Sequence, residues 1–570
     1  MARRPPPPQA APAAYYYHPF QIMAPKSDAG RSPKTVSPIH ALPVELLSRV
    51  FMLGQPDNTP YPDFPPDCSP TFEVLVSHVC HHWREIALAT PSLWTTIHLR
   101  LKSHMDRSRA YLYRRKHKLI DILVDTCAED EYEPGYNLFR PEFIDIFEPF
   151  KPTVDAWRSF ALKVRHKDCK IGARDVLSTC GSARNLEYLQ LWHIENWESA
   201  ERLFTQIGPP PVVIFDKELP KLQHLSLIGV NVPWAQVNFL EDLTTIEFAL
   251  HSVDVRIPYE IWANMLKTSP RLEKLSLYYS GPKPGDFPWP NEVIALPGMK
   301  ELSLTDLDAP YLCDILRYLH MPHLTTLRLE LPAQEPGQSF AELIDDLIVP
   351  KRPEPTTPAT TGAQKQPAQP AGTMFPQLAT LAVHALECTP ADFRRLLEAA
   401  PTVTRLDVGC ARLDAALVDE LLRVSAPAEV DAADKGKGRA PYAGVLLPDL
   451  DTVRVSGLAP ATLLRLVDFR RAQGRPVHTW LVSERMRDAA LERAAAEMDA
   501  RGDGERIEWF KSDEDEEDDG DDDEEGDDED AEGYTDDEED DVAGPPKIAS
   551  ADAPFEDDNV PVEYSDEEEE

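Results

Sequence analysis

The chain has 570 residues, and 98 acidic against 58 basic side chains give it a net charge of −40. Residues 511–570 carry −31 of this, with 33 Asp and Glu against two Lys, so the first 510 residues are only mildly acidic. This balance argues against non-specific binding to nucleic acid, where Lys and Arg must neutralise phosphates, and favours basic partners.

Residues 1–37 hold Pro5 to Pro8 and Tyr15 to Tyr17 without helical or strand periodicity, and are expected to be disordered. From residue 38 the texture changes. Leu42, Leu46, Leu47, Val50 and Phe51 form an apolar stripe on a short helix opened by Pro43, and Val79, Trp83, Ile86 and Ala87 form another. Thr90-Pro91-Ser92-Leu93-Trp94 follows. Helices totalling about 50 residues have little core of their own, so a partner or the adjoining domain is expected to cover them.

The segments Leu42-Pro43-Val44-Glu45-Leu46-Leu47, Val79-Cys80-His81-His82-Trp83-Arg84 and Leu93-Trp94 together resemble the F-box, the module that attaches substrate receptors to the Skp1 adaptor of cullin-RING ubiquitin ligases. The resemblance implies Skp1 contacts from Leu42, Pro43, Leu46, Leu47, Val50, Phe51, Val79, Cys80, Trp83, Leu93 and Trp94. The match departs from the family pattern at 54–70, a Pro- and Asp-rich insertion where the F-box has a shorter link. We take 38–95 as the F-box-like module.

Over 96–510 a pattern of apolar, two variable, apolar, one variable, apolar recurs. It reads Leu186-Leu189-Leu191, Leu222-Leu225-Leu227, Leu243-Ile246-Phe248, Leu272-Leu275-Leu277, Met299-Leu302-Leu304, Leu324-Leu327-Leu329, Leu378-Leu381-Val383, Val403-Leu406-Val408 and Leu450-Val453-Val455, with Trp157-Phe160-Leu162 as a tenth. Amphipathic helices lie between. Leu312, Ile315, Leu316 and Leu319 follow helical spacing, as do Phe393, Leu396, Leu397 and Ala400, the latter after the Thr389-Pro390 start signal. Two polar insertions, 350–373 and 426–444, lengthen single units.

A strand and a helix repeated in this way bury their apolar faces only against neighbouring units. The expected fold class is α/β: a small helical F-box followed by an irregular leucine-rich-repeat solenoid, parallel strands on the concave face and helices outside, with disordered tails. A generic α/β domain with parallel strands is the alternative. The units lack the Asn or Cys of regular repeats after the third apolar position, where Trp192, Gly229, Tyr279 and Asp306 stand. F-box and irregular repeats in one chain resemble the F-box-like proteins of mushroom-forming fungi.

Residues alternating with the inward Leu positions line the concave face. They nominate Tyr188, Gln190, Trp192, His224, Lys274, Tyr278, Arg328, Arg405 and Arg454 for substrate binding; each aromatic among them either meets a partner or packs under a neighbouring loop.

Other motifs carry less. His78, Cys80, His81 and His82 lack a second cluster to close a zinc site. The basic run 114–118 ends a helix, where cations are favourable, and 435–439 is a poor nuclear-import signal. No P-loop, dinucleotide fingerprint, H-E-x-x-H or G-x-S-x-G occurs, so neither enzymatic activity nor a cofactor is expected. Eight widely spaced Cys and the lack of an apolar run after the N-terminal Arg pair suggest a reducing compartment, cytoplasmic or nuclear.

The leading expectation is therefore a substrate-recognition subunit of a Skp1-cullin-F-box ligase with an unidentified protein substrate. The alternative is a non-ligase scaffold whose acidic tail, 511–570, binds histones or ribosomal proteins. Ser512, Thr535 and Ser565, each followed by carboxylates, resemble casein kinase 2 sites.

Overall fold

The computed structural model describes residues 38–55, 71–99, 104–126, 145–193, 211–332, 340–348, 375–409, 422 and 445–511, apart from 146, 165, 166, 285–288, 290, 291, 387 and 503. All belong to one unit, which extends to Ser512. Residues 1–37, 512–570 and the insertions 350–373 and 426–444 lie outside the described residues, as does 56–70 of the insertion at 54–70.

Three helices come first: α1 (Val44–Leu53), α2 (Phe72–Val79) and α3 (His81–Ala89). A fourteen-stranded sheet follows, made of β1 (Thr96–Leu99), β2 (Ile120–Asp125), β3 (Trp157–Val164), β4 (Tyr188–His193), β5 (His224–Ile228), β6 (Thr245–Ala249), β7 (Lys274–Tyr278), β9 (Glu301–Thr305), β11 (Thr326–Glu330), β12 (Thr380–His384), β13 (Arg405–Gly409), β14 (Thr452–Ser456), β15 (Thr479–Ser483) and β16 (Arg506–Phe510). Each strand lies beside its predecessor in the sheet and every pairing is parallel. The short strands β8 (Ile294–Ala295) and β10 (Leu319–His320) pair separately. A parallel neighbour requires a crossover, so each strand marks one coil of a solenoid-like α/β architecture.

The coils are irregular. The described crossovers hold α4 (His104–Arg114), α5 (Lys167–Thr179), α6 (Tyr259–Lys267), α7 (Ala309–Tyr318), α8 (Ala341–Ile348), α9 (Pro390–Ala399), α10 (Pro460–Ala472) and α11 (Ala489–Arg501), whereas β5 reaches β6 through a single 3-10 turn, Trp234–Gln236. The start signal at Thr389 operates, its side chain accepting from the Asp392 amide at 3.2 Å. Asp488 does the same for α11.

Register places the recurring apolar residues in rows. Leu189, Leu225, Ile246, Leu275, Leu302, Leu327, Leu381, Leu406, Val453 and Trp480 pair across successive strands. All are buried, packed with helix residues such as Leu316, Leu343 and Leu397 in one hydrophobic cluster. Strands β15 and β16 extend the ladder beyond the last unit legible as a repeat.

The same turn recurs at the strand ends. Gly229, Leu250, Tyr279, Asp306, Ala385 and Gly457 each follow a strand directly and have positive φ. In the middle of the sheet their amides add one more rung: Gly229 donates to Ala249 O at 2.9 Å, Tyr279 to Thr305 O at 2.9 Å and Asp306 to Glu330 O at 2.8 Å. At Gly229 a Cβ would stand 2.5 Å from the His193 carbonyl oxygen, so glycine alone fits there. The positions where the sequence departs from regular repeats thus include three residues, Gly229, Tyr279 and Asp306, that hold this left-handed turn.

The helices α1 to α3 share the sheet's core. Leu47, Phe51, Ile86, Ala87 and Trp94 belong to the cluster that includes Ile97 of β1. Trp94 donates its Nε1 hydrogen to Ala87 O at 2.8 Å, and Tyr111 of α4 donates to Glu73 of α2 at 2.5 Å. Burial together with the Glu73 charge pushes the Tyr111 phenol well above its usual pKa.

Candidate functional site

Two surfaces stand out, one on the N-terminal helices and one on the sheet. On α1, Leu46 is 53% exposed and Val50 49%, while Leu47 and Phe51 are 0% and 1% exposed. Successive residues on a helix are about 100° apart, so one broad apolar stripe splits into a packing edge and an outward edge. Leu46, Val50 and Leu53 make the outward row, with exposed Leu42 just before the helix; Leu75 and Val79, one turn apart on α2, make a second. With Val44 these are seven of the ten exposed large apolar side chains among the described residues. Exposed apolar side chains concentrated in this way mark an interaction surface, whereas scattered single ones need no explanation.

The eleven residues that the F-box resemblance nominates therefore part into three groups. Leu42, Pro43, Leu46, Val50 and Val79 are exposed. Leu47, Phe51, Leu93 and Trp94 are buried in the protein's own core, which corrects their assignment as contact residues: their apolar area is already covered by the fold. Trp83 is half-buried against Phe51, ring centres 5.0 Å apart. Cys80, half-buried, caps α3, accepting from the Trp83 amide at 3.5 Å. Val44, Leu53 and Leu75 complete the outward rows and were missed, because residue type alone does not tell an outward apolar position from an inward one.

On the sheet, the side chains alternating with the inward rows face away from the core, and register arranges them in three parallel rows. Tyr188, nominated as a contact residue, is buried instead, its ring 6.1 Å from that of His224; burial raises its pKa far above the ordinary phenol range. His224 is half-buried and burial lowers its pKa. Gln190 and Trp192 are half-buried, and the Lys163 ammonium sits 4.3 Å from the Trp192 ring centre. Lys274 is exposed and pairs with Glu301 at 3.5 Å. Tyr278, Arg328 and Arg405 are exposed.

Arg454 is bound on both sides. It meets Asp407 at 3.4 Å and lies 4.0 Å from the Phe510 ring centre, and Asp407 also takes His384 at 3.1 Å. Burial opposes ionisation of Asp407, but the hydrogen bonds from His384 and Arg454 and the Arg454 charge outweigh it and hold its pKa below the usual value. These contacts, and the 2.6 Å hydrogen bond from Ser226 to Glu247, were not foreseen, since they join residues on different coils. Ser512, Thr535 and Ser565 lie outside the described residues.

No family model matches the chain, and no curated protein matches it. Among the described residues no helix is long and apolar enough to cross a membrane.

Proposed function

We propose that the protein is the substrate-recognition subunit of a Skp1-cullin-F-box ubiquitin ligase, with the adaptor on the outward rows of α1 and α2 and a target protein on the outer face of the sheet. The observation that carries this reading is the concentration of exposed apolar side chains on two short helices at one end of a sheet-built scaffold. Association buries such rows at a gain of about 25 cal/mol per Å² of apolar surface. The sheet offers the other half of the function: a broad face with Tyr278, Arg328 and Arg405 exposed, residue types that dominate interface energetics. The chain itself performs no chemistry in this reading; transfer of ubiquitin falls to the cullin-bound machinery, in the cytoplasm or the nucleus.

The test is co-purification of the full chain with Skp1. The wild type is expected to retain stoichiometric Skp1, and Leu46→Asp with Val50→Asp to lose it while keeping its melting temperature, since both side chains are already in solvent. Failure of the wild type to hold Skp1 overturns the reading, and recovery of histones or ribosomal proteins in its place selects the scaffold role.

A further inference from the structure

The two ends of the fourteen-stranded sheet are finished differently. At the first edge the inward residues of β1, Ile97 and Leu99, are 1% and 0% exposed and share their core with α1 to α3. At the last edge no helix or strand follows β16 among the described residues. Its inward residues, Ile507 and Trp509, are only half-buried, although they stand in register with Trp480 and Val482 of β15, which are 1% and 0% exposed. Arg487 lies 5.2 Å from the Trp509 ring centre and covers part of it. Repeat architectures close such an end with a capping unit; here the inward row remains half open.

The backbone of this edge is open as well. The Arg506 amide donates to His478 O at 2.8 Å. Successive residues of a strand turn their N–H and C=O groups to opposite sides, so Arg506, Glu508 and Phe510 serve β15, while the groups of Ile507 and Trp509 point away from it, where no further strand lies among the described residues. Such a row is a template for another strand. The outer face of β16, by contrast, is closed: Arg506 pairs with Glu508 at 2.6 Å, and the Arg454 guanidinium sits 4.0 Å from the Phe510 ring centre.

Charge decides what suits the edge. Arg506 and Glu508 cancel each other, but an unbroken acidic run from Asp513 to Asp519 begins three residues after Phe510, within the segment 511–570 that carries −31. Two copies joined edge to edge would bring two such segments together, and like charge of this size keeps chains apart. A basic strand is attracted instead.

We propose that β16 receives an extended basic segment of a partner protein as one more strand of the sheet. The segment's backbone pairs with the open row at Ile507 and Trp509, its alternate aliphatic side chains cover those two residues, and its lysines or arginines answer the acidic run. In strand addition the main-chain bonds give affinity and the alternating side chains give specificity. The edge stands at the other end of the strand order from the adaptor helices, so the proposal goes beyond the receptor reading and does not depend on Skp1.

The probe is a fluorescein-labelled peptide Gly-Lys-Val-Lys-Val-Lys-Val-Lys-Gly, read by fluorescence anisotropy on the full chain at physiological salt. Its counterpart is N-methylated at the five central residues, which keeps every charge and side chain and removes the strand hydrogen bonds. The unmethylated peptide is expected to bind about tenfold or more tightly than the methylated one, and a peptide with Glu in place of Lys not to bind. Ile507→Pro removes an outward amide at an edge, where proline is tolerated, and should bring the two lysine peptides to the same affinity. The methylated peptide tests the same bonds on the unaltered protein, so the result stands even if that variant is unstable. Equal binding of the two lysine peptides by the wild type would leave the acidic charge alone responsible and overturn the proposal. Absence of binding, or equal binding of the Glu peptide, overturns it too. So does a dimer in sedimentation that Ile507→Pro dissociates, which would give the edge to a second copy.

Discussion

Leu46 and Leu47 are neighbours of identical chemistry on one helix, yet the first is 53% exposed and the second wholly buried. Leu47→Ala is expected to cost about 2 to 5 kcal/mol, the transfer term plus a cavity. Leu46→Ala should change stability by no more than about 0.5 kcal/mol and weaken Skp1 retention. Denaturant unfolding of both variants, beside the Skp1 co-purification, checks the split; equal destabilisation would mean that Leu46 is covered within the chain.

A pH response follows from His251. Its Nε2 lies 2.9 Å from the Val230 carbonyl oxygen, which only accepts, so Nε2 carries the hydrogen and Nδ1 takes the Ser280 hydroxyl at 2.8 Å. The neutral ring is fully satisfied, and burial pushes its pKa down to about 4, from 6.5. The unfolded chain therefore binds this proton first. The stability held by the neutral ring is complete above pH about 6.5 and is lost as pH falls toward about 4, a change of about 3 kcal/mol. Burial lowers the His193 pKa to about 3 and acts in the same direction. Unfolding titrations of the wild type and His251→Gln between these limits should show a shallower slope in the variant.

Arg317 and Asp346 join α7 to α8. Asp346 is fully buried, and its carboxylate lies 2.6 Å from the Arg317 guanidinium, which also reaches Glu342 at 3.0 Å. Arg317→Ala strands a buried carboxylate and should cost about 3 to 5 kcal/mol. Adding Asp346→Asn should recover part of that loss, because an amide has no charge to desolvate. A double-mutant cycle measures the coupling, and simple additivity of the two changes would argue against it.

Ala385 is exposed and holds the left-handed turn after β12 with φ 55°. A non-glycine residue there is strained by about 1 to 2 kcal/mol, partly offset in a glycine variant by the greater freedom of the unfolded chain. Ala385→Gly should therefore stabilise by roughly 0.5 to 1 kcal/mol, read as a rise in the denaturation midpoint. A fall would show that the turn is not under strain.

Much of the scaffold was legible in the chain because its signals are local. Strand residues alternate between faces, so pairs such as Leu302 and Leu304 announce an inward side within five residues, and Leu312, Ile315 and Leu316 announce a helix within one turn. The Thr389-Pro390 start needs nothing beyond its own helix, and the acidic composition of 511–570 is visible in the sequence itself. Strands β15 and β16 do not stand out as further units in the sequence, since Trp480 takes the place of an aliphatic residue in the first and Gly504 stands where the earlier units begin on an apolar residue in the second.

Exposure was settled only in three dimensions, because it depends on what the next coil lays alongside. Tyr188 and Tyr278 both alternate with inward Leu residues, yet the first is buried beside His224 while the second, between Ala249 and Thr305 in register, stands in solvent. The stripe on α1 divided in the same way, its Leu47 and Phe51 edge taken up by the core that α3 and Trp94 share. A pocket of about 420 Å³ where the chain leaves β7 and β9 is the clearest case. Arg256, Tyr279, Asp306 and Tyr311 come from three successive coils, and only the parallel register of β6, β7 and β9 brings them together, a juxtaposition that residue spacing along the chain does not encode.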